Sequence, residues 1–369
     1  MTAIITRTDL DRIGVTRSVL SGALSCCLLR VRKGMYVVLG DCRQDAHAAI
    51  AEFGIGRKED PGNLADHAQP DRSHTGQWET LHTWNESHRG YGRSPDLEQQ
   101  IAADLEAVHA PGLRGHAAKL RILARTYASG LSDDSALSHV SAALLWGLPL
   151  TRPAQKRVEV VRRGRSRTYA KCVVRQRSLT DEDVTAIGGI PVTTVARTLL
   201  DVALDYPLDV SVPMIDHALR SRLVTLDRLA TLTSAVDDRR GAVRARTAFG
   251  LAEPLHESPA ESICGVRFHE HAIVGFEPQI TFRMPEDEGI ARVDFLHRES
   301  AVIVEVNGEI KYTDGDTGAL RAKRERHRDY QLRNLGYRVY QLMWSDLFQP
   351  RAFRRIKQAV EYPDRHSDS

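Results

Sequence analysis

The sequence predicts a multi-domain protein of mixed α/β class, and three observations carry this. The 369-residue chain is longer than a single hydrophobic core normally organises, so two or three domains are expected. Residues 6–39 read as helix, turn, helix and hairpin in a compact order. Residues 256–360 read as helix, three strands, helix, strand, helix. A last strand reached through a helical crossover makes a mixed sheet the expected outcome there. The hydrophobic fraction of 42% and charged fraction of 27% are ordinary for a globular chain.

In the first unit, taken as residues 1–53, positions 8–12 are a short helical candidate and Gly14 is a natural turn. Thr16 can cap a second helix to about Ser25, with Val19, Leu20, Ala23 and Leu24 on one face. Residues 28–31 and 35–39 form two strands joined by Lys33 and Gly34. This is the outline of a winged helix-turn-helix, whose second helix would enter a DNA major groove while the hairpin lies along the backbone. Arg17, Arg30, Arg32 and Lys33 supply positive charge. A structural or protein-binding unit of the same outline is the alternative.

Residues 54–96 are rich in Gly, His, Asp, Ser and Pro and poor in aliphatics. They read as a flexible insertion or linker. Their His67, His74, His82 and His88 have no regular spacing that would argue for a metal.

Residues 97–250 read as a mixed α+β middle domain. A helical pattern over 96–127 places Ile101, Leu105, Val108, Leu120, Leu123 and Tyr127 inward. Residues 138–148 (SHVSAALLWGL) are a buried helix, and 158–161 and 171–175 are strands joined by the turn Arg163-Gly164-Arg165. Residues 190–203 begin extended. A Thr then caps a helix with Val195, Leu199, Val202 and Ala203 on its apolar face. Arg197 and Asp201 stand one turn apart, the spacing of an ion pair. Helices continue over 212–219 and 226–232, and 239–246 is a basic run.

The net charge of +3 says little about partners, but its distribution says more. Residues 152–177 hold ten Lys or Arg against one acid, Glu159, and residues 318–358 hold eleven against three. Such concentrations fit contacts with a polyanion; the alternative is two solvated basic faces. The five cysteines, Cys26, Cys27, Cys42, Cys172 and Cys264, are odd in number and irregularly separated, with no CxxC and no metal-finger spacing. Reduced thiols in a cytoplasmic protein are expected. No apolar signal core follows a basic start, and no run approaches the roughly 20 apolar residues that span a bilayer.

The most informative stretch is 291–311, ARVDFLHRESAVIVEVNGEIK. Two apolar runs flank a polar turn, and each carries one acid, Asp294 or Glu305. An ionised carboxylate in a buried strand costs several kcal/mol unless compensated, and a divalent cation shared by both acids would compensate it. Glu261 lies in the first turn of a helix that Ser258 and Pro259 open. A basic helix over 320–335, closed by Gly336, precedes a strand at 337–342 and a helix at 353–360, with a disordered tail at 361–369. Each acid also has a plainer reading. Asp294 would pair with Arg292 or Arg324, Glu305 with Lys323 or Arg328, and Glu261 would serve its own helix terminus. Trp344 reads as a packing residue.

Two family resemblances follow from these motifs. The hairpin unit at 6–39, SHVSAALLWGLPL at 138–150 and GIPVTTVARTLLDVA at 189–203 resemble AbiEi-type antitoxins. That resemblance implies operator DNA as a partner, and a cognate toxin or defence partner. SPAES at 258–262, ARVDF at 291–295, VIVEVNGEIKY at 302–312 and KRERHRDYQLRNLGYRVYQL at 323–342 resemble the PD-(D/E)xK nuclease fold. More narrowly, they are similar to the DUF559-type relatives of very-short-patch-repair (Vsr) endonucleases. This resemblance implies a restriction-endonuclease-like αβββαβ domain over 256–360 that hydrolyses DNA with Mg²⁺ or Mn²⁺. Asp294, Glu305 and Glu261 would hold the metal, with the Val306 carbonyl as a further ligand. Lys311 would orient water or contact phosphate, and Arg324, Arg328 and His327 would lie near the phosphates. The family's motif carries Lys or Asp two residues after the Glu, where this chain has Asn307. Asn is a neutral, weak ligand and cannot act as a base. A non-enzymatic DNA-binding regulator with a degenerate nuclease-like domain is therefore the second reading.

Overall fold

The computed structural model describes residues 4–39, 42, 44–52, 97–128, 131–132, 134–153, 156–234, 236, 240–283, 290–307 and 327–362. The expected insertion at 54–96 with its four histidines, Lys311, Arg324 and residues 363–369 of the expected tail lie outside the described residues. The described residues form a mixed α/β structure with three sheets. It divides into two compact units, Met1–Asp201 and Val202–Ser369. The division falls inside the 97–250 segment. Among the described residues, no helix is long and apolar enough to cross a membrane.

The first unit begins with β1 (Ile4–Thr6), α1 (Arg7–Arg12), α2 (Arg17–Ala23), β2 (Leu28–Arg32) and β3 (Met35–Val38). Both helices start where side-chain oxygens satisfy amides left free by the helix. Thr6 Oγ1 accepts from Asp9 N at 3.2 Å while Asp9 returns the bond to Thr6 N at 2.8 Å. Thr16 Oγ1 accepts from Val19 N at 3.3 Å. β2 and β3 pair antiparallel through the Lys33–Gly34 turn, where Gly34 has φ 74°. β1, three residues too short to leave a periodic signal, adds to the other side of β3, giving the order β1-β3-β2. Ile5, Leu10, Val15, Ala23, Leu28, Val38 and Ile50 fill the space beneath.

Further along, α3 (Leu97–Ala107) and α4 (Gly112–Ala128) pack on a six-stranded sheet of order β6-β7-β5-β4-β9-β8. Its strands are β4 (Ser135–Leu137), β5 (Val158–Arg162), β6 (Arg167–Thr168), β7 (Cys172–Gln176), β8 (Val184–Ile187) and β9 (Ile190–Thr193). α5 (His139–Leu145) follows β4. The turn expected to join β5 to β7 leads instead into β6. β6 pairs antiparallel with the outer edge of β7, so β5 and β7 run parallel. Arg162 closes that turn by donating to the Arg165 carbonyl at 2.8 Å. Glu159, the lone acid of this basic stretch, is buried. It takes Arg175 at 2.7 Å and the Val140 amide in the first turn of α5 at 3.0 Å. The expected Arg197–Asp201 pair forms at 3.2 Å in α6 (Val195–Asp205), and Arg197 also reaches Asp183 and the Ser178 carbonyl, each at 2.8 Å.

The second unit has α7 (Leu208–Arg220), α8 (Leu226–Ser234) and α9 (Ala242–Gly250) before the expected order of elements. These are α10 (Pro259–Glu270), β10 (Phe276–Arg283), β11 (Ile290–His297), β12 (Val302–Asn307), α11 (residues 327–334), β13 (Arg338–Met343) and α12 (Pro350–Glu361). The sheet runs β10-β11-β12-β13. Its first two pairings are antiparallel and the last is parallel, as a crossover through α11 requires. Gly336, at φ 88°, lets the chain leave α11 sharply, with Tyr337 N bonded back to the Leu332 carbonyl at 3.2 Å. One face buries Val302, Val304 and Val306 against Ile263, Phe268, Phe353 and Ile356 from α10 and α12. The other buries Ile303 and Val339 against Leu332 of α11.

Candidate functional site: an acidic row on the C-terminal sheet

β11 and β12 pair with Phe295 opposite Val304. One further step of that register sets Asp294 opposite Glu305. The same step from Pro278–Phe295 sets Gln279 opposite Asp294, and Glu305 pairs directly with Gln341. Gln279, Asp294, Glu305 and Gln341 thus form one polar row across all four strands.

The strands turn over at this row. In β10, Phe276 packs with the α10 and α12 cluster, whereas Ile280 and Phe282 pack with the opposite one, although all three share strand parity. In β11, Phe295 and Val293 divide the same way. Gln279 at φ 54° is where β10 switches. A non-glycine residue in that region costs about 1–3 kcal/mol, which the surrounding structure has to hold. Its Oε1 is buried and has no hydrogen-bond partner among the described residues.

Glu261 reaches the row from the first turn of α10. Ser258, the N-cap, accepts from Glu261 N at 3.2 Å and donates its hydroxyl to Glu261 Oε1 at 2.7 Å. Glu261 Oε2 accepts from Glu257 N at 2.8 Å and from Gln279 Nε2 at 2.7 Å. The acid is buried and does serve its own helix start. Through Gln279 it is also bound to the row.

Asp294 Oδ2 accepts from the Val306 amide at 2.8 Å. Burial pushes the Asp294 carboxyl up from 3.8 to about 6. The Val306 amide opposes this, the charges of Glu261 and Glu305 add to it, and Arg328 opposes it. Cys264, on the buried face of α10, is pushed well above its ordinary value by burial first and then by Asp294 and Glu261. The three acids therefore share one electrostatic environment. Glu305 is buried. It pairs with the Arg328 guanidinium of α11, and Gln341 Nε2 donates to its other oxygen at 2.6 Å. Arg328 also donates to the Arg292 carbonyl at 2.8 Å. Asn307 is tied into the same network, donating to Gln341 Oε1 at 2.6 Å.

Of the residues singled out from sequence, Glu261, Asp294, Glu305 and Arg328 come together here. Arg17 is an exposed residue at the start of α2, and Lys33 is exposed in the β2–β3 turn. Of the plainer pairings, Arg328 with Glu305 forms, whereas Arg292 pairs with Glu257 at 2.5 Å. Gln279 and Gln341 were missed. Each is the one amide side chain of its strand, FEPQITFR and RVYQLM, and neither strand has an apolar pattern clean enough to make it stand out.

The donor set is chemically suited to a hard divalent cation: carboxylate oxygens on neighbouring strands and a helix start, with the ionisation of Asp294 disfavoured by burial and then by the charges of Glu261 and Glu305. The side chains are not closed around one point. Among the described residues, the acids are not a group whose ligand atoms all lie within 4.8 Å of one another. Protein donors hold them instead, Arg328 standing on Glu305 as the resident cation. Comparison of the chain with family models, with characterised proteins and with solved structures returns no match.

Proposed function

We propose that the C-terminal unit is a restriction-endonuclease-like domain that hydrolyses DNA phosphodiesters with Mg²⁺ or Mn²⁺. In this reading the N-terminal helices and hairpin are a winged DNA-binding module. The observation that carries the reading is Asp294, a carboxyl held at about 6 among Glu261 and Glu305 on facing strands and a helix start. Burial first, and then the neighbouring charges of Glu261 and Glu305, make its ionised form unfavourable, and carboxyls perturbed in this way are enriched at sites that act on a cation or a proton.

Asp294 and Glu305 would hold the cation, which would neutralise charge on the phosphate and activate water when bound. Glu261 is a positioning residue, acting through Gln279. Arg328 pairs with Glu305, one of the residues that would hold the cation. Released from the carboxylate, its planar guanidinium suits bidentate phosphate binding.

A second reading, from a different class, is a non-enzymatic DNA-binding regulator, acting with a cognate toxin or defence partner. Asn307 favours it: its amide is engaged by Gln341 in the position where the resembled nucleases carry Lys or Asp. Plasmid cleavage with and without Mg²⁺, beside Glu305→Ala, separates the two. The nuclease reading expects metal-dependent nicking or linearisation that the variant loses. If the wild type with metal cuts no faster than the variant, the enzyme reading fails for that substrate. Gel-shift binding would then carry the second reading, with its salt slope reduced by about 1 for each of Arg17→Ala and Lys33→Ala that contacts a phosphate.

A further inference from the structure

The cysteines, irregular in sequence, are not scattered in space. Cys26 and Cys27 follow the end of α2, Cys42 follows β3, and His47 ends the short 3-10 turn Asp45–His47. Their four ligand atoms all lie within 4.8 Å of one another. His47 Nδ1 is 3.3 Å from Cys26 Sγ, 3.4 Å from Cys42 Sγ and 3.7 Å from Cys27 Sγ. Cys26 Sγ and Cys42 Sγ are 3.6 Å apart.

We propose that Cys26, Cys27, Cys42 and His47 form a structural zinc site that pins the end of α2 to the segment after β3. Zinc binds thiolate sulfur at about 2.3 Å and imidazole nitrogen at about 2.0–2.1 Å. Corners of a tetrahedron stand about 1.6 times that radius apart, so its ligands are expected roughly 3.4–3.8 Å from one another. The four distances fall on or within 0.1 Å of that range. Three soft sulfurs and one imidazole select zinc over the hard cations that suit the acidic row. The sulfurs of Cys26 and Cys42 are not bonded to each other, and the imidazole Nδ1 is common to all three thiol contacts.

The surroundings are built for the ring. His47 is 2% exposed and Cys27 5%. A Cβ at Gly22 of α2 would come within 3.1 Å of His47 Nε2, so only the absence of a side chain there leaves the imidazole its place. A metal held by these four side chains would cross-link two segments of the N-terminal helices and hairpin, and its binding energy would add to folding. The site lies apart from the acidic row, and its failure or success leaves the nuclease reading untouched.

The test uses the full chain, purified under reducing conditions. Elemental analysis is expected to find one zinc per chain. Replacing zinc by Co²⁺ is expected to give the intense visible bands of a tetrahedral complex with a thiolate charge-transfer band in the near ultraviolet. Cys42→Ser and His47→Ala should abolish both, and Gly22→Ala should shift the cobalt bands. The proposal is overturned if the folded, reduced wild type binds neither ion stoichiometrically. It is equally overturned if both ligand variants keep the tetrahedral spectrum, or if the native protein holds a Cys26–Cys42 disulfide in place of a metal. The wild-type spectrum decides even where a variant does not fold.

Discussion

Replacing Asp294 by Asn should stabilise this protein by an amount that grows as pH rises from about 4 to about 6 and is complete at neutral and alkaline pH. The Asp294 carboxyl sits at about 6, against 3.8 when unburdened. A carboxyl raised on folding favours the fold while protonated. That contribution is complete below about 3.8 and is lost as pH rises through about 6. The gap corresponds to about 3 kcal/mol, so above pH 7 the fold is less stable by roughly that amount than with this carboxyl protonated. Asn has the same shape and carries no charge, and its Oδ1 can still accept the Val306 amide. Allowing for partial solvent exposure, the expected gain is about 2 kcal/mol near pH 8, falling to about zero near pH 4. For a unit of this size that is roughly 4–8 °C in Tm. Urea unfolding of wild type and variant at those two pH values, beside plasmid cleavage with Mg²⁺, measures both halves of the prediction. A variant no more stable than wild type near pH 8 would refute the burial argument, as would a gain equally large near pH 4. Stability gained together with cleavage lost is the pattern of a site that holds charge for function.

Arg328→Met removes the guanidinium that pairs with Glu305, whose side chain is 5% exposed while that of Arg328 is 30% exposed. Breaking a fully buried pair costs about 3–5 kcal/mol, so about 2–3 is expected here. Thermal unfolding should show part of that loss recovered by millimolar Mg²⁺ if a cation can take the vacated position; no recovery would leave Arg328 as the only cation the row accepts. In the first unit, Arg197→Met strands Asp201, whose side chain is fully buried, and releases Asp183. A loss of about 3–5 kcal/mol is expected in urea unfolding, and a change under 1 kcal/mol would contradict a buried network.

Most helices and the order of the C-terminal elements were legible, because each left a local mark, whereas β4, β6 and β8, three of the six strands of the middle sheet, were not. Thr16 caps α2, Ser258 and Pro259 open α10, and Gly34 and Gly336 turn the chain where φ is positive. β1 was not legible, since three residues carry no period, and its pairing with β3 depends on a distant hairpin. The parallel course of β5 and β7 was hidden for a similar reason: β6 is two residues long. The acids of the candidate site were legible as charges in apolar strands. Their hydrogen-bonded state was not, because Arg328 and Gln341 reach Glu305 from 23 and 36 residues away.

The sequence by itself therefore showed where unusual side chains stand: acids where strands should be apolar, cysteines in an odd and irregular set, and two basic runs. Tertiary structure alone decided what those side chains meet. It brought Asp294 and Glu305 to the end of the β11–β12 register, turned β10 over at Gln279, and gave Glu305 a guanidinium partner. It also drew Cys26, Cys27, Cys42 and His47 to a common point that no spacing rule foretold. Propensity and capping act over a few residues and are written locally. Register, burial and ligand geometry are sums over distant segments, and they exist only once the chain has folded.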